Sequence, residues 1–411
     1  MSKRSHLHPS DLHGVGRLSV EAVTQVTRLV ENLHYTITQT PLPLGAARSG
    51  TTRGITGLVY RSIRGVTALV GGTLDAAMAG LLPLLRNPSM RVSSRQRDAV
   101  LAALNGVLGD HLAASGNPLA IAMQLRADGE PLRWDALPPA RNKVMVLVHG
   151  LCMNDRQWAC PPQGESADGE AHVDAAAELA RELGFTPLYL HYNSGRHISQ
   201  NGRDFADALQ TLIERWPQPL DDLVIVGHSM GGLVSRSACH YGAAAGHGWL
   251  RALRAMVFLG TPHHGAPLER GGNGLDLLLG ASPYTAPFAR LGKLRSAGIT
   301  DLRYGNLRDE DWFGHDRFAR RGDCRQPLAL PADVHCYAIA ASSGKLPGDL
   351  GDRLLGDGLV PLDSALGRHP DPAMTLPISA NRQWVGQGIN HLELLRHPAV
   401  FDQLREWLAR E

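Results

Sequence analysis

The order of elements along this chain predicts a mostly parallel β-sheet covered by helices on both faces, with a helical region ahead of it. Three observations carry that reading. Short continuous apolar runs, such as Val144-Met145-Val146-Leu147-Val148 and Leu223-Val224-Ile225-Val226, end in turn residues, as strands buried on both faces do. From about residue 119 onward, helical patterns separate these runs, which is the grammar of parallel strands joined by crossover helices. One run leads straight into Gly227-His228-Ser229-Met230-Gly231-Gly232, a sharp turn from strand into helix with a serine at its centre.

The first element is a helix from Arg17 to about Gln39. Leu18, Val20, Val23, Val26, Leu29, Val30 and Leu33 recur there at three- and four-residue spacings until Pro41 and Pro43 break the pattern. A second stripe runs from Ile55 through Ile63, Val66, Leu69 and Leu74 to Leu81, with Arg53, Arg61 and Arg64 off its face, and stops at Pro83. A third helix follows Ser93 or Ser94, carries Val100, Leu101, Leu104, Leu108 and Leu112, and ends at Gly116-Asn117-Pro118. Residues 1–116 therefore read as a helical accessory region and 117–411 as the α/β domain. In the latter, strands are expected at 144–148, 186–191, 223–226, 255–259, 334–340 and around Gln383–Val385. Helices are expected over 171–183, 199–215, from the serine turn to about Tyr241, and over 397–410. The stretch from Pro262 to about Pro331 is too long for an ordinary connection. With Leu275, Leu277, Leu278, Leu279, Phe288 and Leu291 in it, a cap inserted over about 263–330 is one reading, and an excursion packed on the sheet edge is the other.

Composition excludes several classes. The 411 residues are 43% hydrophobic and 19% charged, enough to bury a sizeable core. Lys plus Arg number 41 against 39 for Asp plus Glu, so no electrostatic case exists for nucleic acid as a partner. The five cysteines (152, 160, 239, 324 and 336) form no C-x-x-C pair, which favours reduced thiols in a cytosol, with Cys152–Cys160 the one conceivable bridge. The start of the chain runs into Asp11 and His13 without an apolar core, so no secretory signal is read. No apolar run approaches the ~18 residues of a membrane span. The expectation is a cytoplasmic protein. The glycines of the second stripe serve close helix packing or a peripheral membrane contact.

The chemistry centres on Ser229. A strand-to-helix turn exposes such a serine's Oγ, and Gly227 and Gly231 flank it because a Cβ there would meet neighbouring backbone. Its position and surroundings resemble the α/β-hydrolase superfamily, in particular the lipase and esterase branch with a GHSMGG elbow. The likeness covers about residues 119–411 and extends to proteins grouped with GPI inositol-deacylase-like lipases. That resemblance implies an α/β-hydrolase fold and an ester-cleaving activity. Val148-His149-Gly150-Leu151 is similar to the family's oxyanion turn, which makes the N–H groups of Leu151 and Met230 the implied oxyanion donors. The superfamily order of serine, acid, histidine implies His391 as the base, in Gly388-Ile389-Asn390-His391-Leu392. His397 and His369 are the competitors, the former as a cap of the last helix. Gly356-Asp357-Gly358-Leu359-Val360-Pro361 is similar to the family's acid turn and singles out Asp357 over Asp349, Asp352 and Asp363.

His149, His228 and His263 are expected to line the substrate pocket, and His191-Tyr192-Asn193 to border it or to start the next helix. His263 and His264 stand in Thr261-Pro262-His263-His264-Gly265 without an acidic or third histidine partner at ligand spacing, so neither metal nor cofactor is expected. The function so implied is serine-dependent hydrolysis of a small-molecule or lipid-like ester. Amide or thioester cleavage, acyl transfer, and a non-catalytic membrane-associated scaffold are the alternatives.

Overall fold

The computed structural model describes residues 8–39, 60–69, 72–73, 75, 95–137, 140–159, 174–266, 295–319, 322–344 and 356–409. Leu275 to Leu291 of the expected cap, Cys160, Asp349, Asp352, the starting caps Ser93 and Ser94, and both ends of the second stripe lie outside them.

Helix α1 is Pro9–Gln39, residues 60–69 form α2, and α3 is Arg95–Ala114. Eight strands follow: β1 Gln124–Ala127, β2 Glu130–Pro131, β3 Lys143–Val148, β4 Thr186–His191, β5 Asp222–His228, β6 Leu253–Leu259, β7 His335–Ser342 and β8 Gln383–Gln387. Between and after them run α4 Ala175–Glu182, α5 Ile198–Arg215, α6 Met230–Ala244, the single-turn α7 Ala297–Asp301 and α8 Leu362–Ala365, and α9 Pro398–Leu408.

The strands form one sheet in the order β2-β1-β4-β3-β5-β6-β7-β8, parallel from β4 to β8. The β1–β2 hairpin at one edge is antiparallel and was not anticipated. Its signal is Asp128-Gly129, both at positive φ (51° and 78°), the residue pair that a tight hairpin turn demands.

Alternation along the buried strands sorts the core into two layers. Val144, Val146 and Val148 join Phe205, Leu209, Leu212, Leu233 and Val234 of α5 and α6 on one face. Met145 and Leu147 join Leu179 of α4 and Phe401, Leu404 and Trp407 of α9 on the other. Each of these side chains is at most 8% exposed, so the sheet is covered on both faces as its apolar runs require.

By contacts the chain divides into two units, Met1–Arg97 with Ala114–Ala120, and Asp98–Ala113 with Ile121–Glu411. Within the first, Arg97 pairs with Asp11 at 2.6 Å, Arg64 with Glu31, and Arg17 donates to the carbonyls of Ser115 and Gly116. Val23, Ile63, Val66 and Leu69 of the apolar stripes are exposed.

The second unit takes in the body of α3, and two glycines explain why. A Cβ on Gly106 would stand 2.2 Å from Cys152 Sγ, and one on Gly109 1.8 Å from Asn193 Oδ1. Asn193 Nδ2 donates to the Gly109 carbonyl at 2.8 Å, and Ser296 Oγ to that of Gly106 at 2.6 Å.

Candidate active site

Strands β3 to β8 run parallel, so their carboxyl ends share one edge of the sheet, and the turns beyond β3, β5, β7 and β8 carry the candidate residues. Ser229, between β5 and α6, has φ 53° and ψ −124°, a conformation costing a non-glycine residue about 1–3 kcal/mol. Its surroundings impose it. The Ser229 N–H donates to the Leu259 carbonyl of β6 at 2.8 Å. A Cβ on Gly227 would stand 2.6 Å from Gly232 Cα, and one on Gly231 2.3 Å from the Val148 carbonyl oxygen, so only glycine lets α6 leave the strand this tightly.

The turn after β3 lies against this elbow. A Cβ on Gly150 would come 3.0 Å from Ser229 Cβ and 3.2 Å from His228 Nδ1. Leu151 follows, buried. Cys152, at φ 58°, is tied by its N–H to Ser194 Oγ at 3.0 Å. Burial pushes the Cys152 thiol up to about 12, which removes it as a competing nucleophile. Met230 opens α6, and the first N–H groups of a helix have no intrahelical acceptor.

His391 and Asp357 meet where the turns beyond β8 and β7 come together. His391 Nδ1 donates to Asp357 Oδ2 at 2.6 Å, and both residues are buried. The other carboxylate oxygen, Oδ1, accepts from the N–H groups of Leu359 at 3.0 Å and Val360 at 2.8 Å, so the turn that follows Asp357 fixes its orientation. Gly356 and Gly358 take φ 53° and 94° there. The His391 ring abuts Gly260, where a Cβ would stand 3.0 Å from its Cε1, next to the carbonyl that receives the Ser229 N–H.

His228 adds a third contact. Its Nε2 donates to the His391 carbonyl at 3.0 Å, and the two rings lie 4.7 Å apart. Burial first, then the neighbouring His391, pushes His228 well below the usual histidine range, so it is neutral. His149 stacks on Tyr192 at 4.3 Å, and burial brings it down to about 3. Tyr192 Oη donates to the His149 carbonyl at 2.8 Å.

The segment after the β3 turn is pinned by charges that sequence reasoning missed. Asp155 lies 3.1 Å from Arg126 Nη1 and 2.9 Å from His191 Nδ1, while Arg156 pairs with Asp98 at 2.9 Å. Burial alone would raise the Asp155 carboxyl. The His191 hydrogen bond and the Arg126 charge outweigh it and hold the group at about 2. Three separate segments supply these partners, and no local spacing announces such a cluster.

His263 stands elsewhere. With His264, Arg236 and Arg325 it lines a cavity of about 260 Å³ whose lining includes none of Ser229, His391 or Asp357. A second cavity, about 250 Å³ and lined by His197, Asp301 and Trp312 among others, does not include them either. His397 occupies the position before α9 without a side-chain capping bond, and Asp363 is exposed. Among the described residues no cluster of three or more His, Cys, Asp or Glu could hold a metal ion, and no helix is long and apolar enough to cross a membrane.

Residues 140–310 match the family model described as PGAP1-like alpha/beta domain, and they span β3 to β6 with the elbow between. The second unit has the α/β-hydrolase fold. The elbow and the turn after β3 are those by which the sequence resembles lipases and esterases within that superfamily. The chain is similar in structure to a Bacillus licheniformis lipase, BlEst2, in mature form: 19% identity, 70% of this chain and 98% of that one, TM-score 0.40. The Pyrococcus furiosus esterase Pf2001 is 13% identical over 66% of this chain and 83% of its own, with a TM-score of 0.37. Aspergillus fumigatus lipase B is 11% identical over 69% and 55%, with a TM-score of 0.38. No curated protein matches the chain by sequence.

Proposed function

We propose that this hydrolase cleaves carboxylic esters through Ser229, His391 and Asp357. The observation that carries the reading is the buried His391–Asp357 pair, 2.6 Å long, beside a serine held at φ 53° between strand and helix. Asp357 holds the His391 Nδ1–H and thereby leaves Nε2 as the proton acceptor. In the first half-reaction the Ser229 Oγ bonds to the acyl carbon while its proton passes to His391 Nε2. The carbonyl π-bond opens onto oxygen, where the Leu151 and Met230 N–H groups donate to the oxyanion. Collapse of the tetrahedral intermediate breaks the bond to the alkoxy oxygen, which leaves with the proton from His391. Water then gives its proton to His391, attacks the acyl-enzyme and releases the acid, returning the proton to Ser229. Besides that water, the steps use side chains and backbone amides of the chain. Hydrophobic esters are the substrate class we propose, with residues 263–330 as a cap and the N-terminal helices as an accessory region.

The test is direct. The full chain should take a fluorophosphonate label and turn over p-nitrophenyl esters, faster as the acyl chain lengthens from acetate. Ser229→Ala should lose the label and roughly 10⁴- to 10⁶-fold in kcat. Labelling that survives this change would remove Ser229 from the role. Faster turnover of matched thioesters or anilides would reassign the substrate bond while keeping the residues.

A further inference from the structure

The cavity of about 260 Å³ lined by Arg236, His263 and Arg325 holds a positive charge that no group among the described residues neutralises. Arg236 projects from α6 two turns beyond the elbow and is only 5% exposed, yet among the described residues no carboxylate lies within ion-pair distance of it. Its Nη2 donates to the Leu328 carbonyl at 2.8 Å and its Nη1 lies 3.3 Å from His263 Nδ1, while its Nε–H has no acceptor among the described residues.

A guanidinium can only donate, so His263 Nδ1 accepts and the ring proton sits on Nε2. His263 is completely buried, and that Nε2 also has no partner among the described residues. Two orphan donors therefore border one cavity.

The neighbouring charges cancel among themselves. Arg325 pairs with Asp323 at 2.7 Å and spends Nη1 on the carbonyls of His263 and Gly305. Asp311 accepts from the N–H groups of Leu307 and Arg308 and from the Arg308 guanidinium. Arg236 is left over. Burial, then repulsion from Arg325, lowers its guanidinium to about 10, so it stays charged at neutral pH while its burial is uncompensated.

We propose that this cavity is a binding site for a compact oxyanion, a phosphoryl or carboxylate group, with Arg236 and His263 as its donors. An anion there would supply the missing acceptor to both and neutralise the leftover charge, and charge-assisted bonds of this kind are the strong ones. The volume exceeds that of a bare phosphate, so the anion could be the head of a small organic molecule.

The experiment titrates the full chain with inorganic phosphate and, separately, sodium acetate, against sodium chloride at equal ionic strength, following heat by calorimetry and the melting temperature. A saturable response to phosphate or to acetate beyond the chloride control supports the site, and whichever saturates names the anion. Arg236→Gln should weaken it roughly ten- to a hundredfold. Because Arg236 is buried and that variant could fail to fold, Ala329→Asp supplies the second arm. Ala329 is exposed at the cavity lining, and a carboxylate there should compete for Arg236 and weaken binding about tenfold without touching the core. No saturable response to either anion, or affinity unchanged in Ala329→Asp, overturns the proposal.

Discussion

At the scale of single residues, the site depends on how completely each group is committed. Both Asp357 carboxylate oxygens are used, one by His391 and one by two backbone N–H groups. Asp357→Asn should thus keep the turn yet present the wrong tautomer of His391, at a cost of about 10⁴ in kcat, whereas Asp363→Asn, at an exposed position, should change little. The check is kcat on a p-nitrophenyl ester, and equal effects of the two changes would dissociate Asp357 from the chemistry. In the proposed reaction His228 serves as a positioning residue. His228→Phe keeps the ring beside His391 but removes the Nε2 donor to its carbonyl, so kcat should fall roughly tenfold with KM nearly unchanged. A KM effect alone would place His228 in substrate binding instead. Ser229, His391 and Asp357 are legible in the sequence because each sits in a short motif whose glycines have a stated backbone job. Arg236, Asp155 and Arg126 are not, because their partners come from segments dozens of residues away and burial of a charge leaves no local trace.

At the scale of elements, strands were easier to read than helix partners. The apolar runs at 144–148 and 223–226 fall within β3 and β5 because strands buried on both faces tolerate no polar interruption. The body of α3 was read as part of a helical region ahead of residue 117, yet its contacts place it with the sheet. Apolar spacing shows that a helix has a face, and only the glycines show how close its partner comes. Gly109→Ala should raise helix propensity by about 1 kcal/mol and still lower stability by ~1–3 kcal/mol, since the new Cβ would meet Asn193 Oδ1. Gly65→Ala in α2, with nothing within 4 Å of the added Cβ, should be neutral or stabilising by up to ~1 kcal/mol. Denaturant melts of the two variants decide it, and a stabilised Gly109→Ala would refute the close packing.

For the molecule as a whole, buried neutral histidines set a limit in acid. His149, His228 and His263 are completely or almost completely buried, and burial drives all three down, His149 to about 3. In the unfolded chain each takes a proton near pH 6.5. Below that pH the unfolded state binds more protons than the folded one. Stability therefore falls as pH drops from about 6.5 toward 3, by up to about 1.4 kcal/mol per pH unit for each histidine. Carboxylates held low, such as Asp155 at about 2, add their loss only below about pH 4, so between pH 6.5 and 4.5 the histidines dominate. Melting temperature should decline steeply over that range, and less steeply in His149→Gln. A flat profile would mean these rings are solvated.

The two glycines of α3 also set a timetable. Ser296, which bonds the Gly106 carbonyl, lies 190 residues further along the chain. At ~5–20 residues per second of synthesis, that partner emerges roughly 10–40 seconds after the helix does. Until then α3 carries two residues that each weaken a lone helix by about 1 kcal/mol, and of the partners that face these glycines only Cys152 and Asn193 have emerged to offset the loss. The helix nearest the start of the second unit is thus secured in steps during synthesis, and a ribosome stalled before residue 296 would hold it without its Ser296 bond.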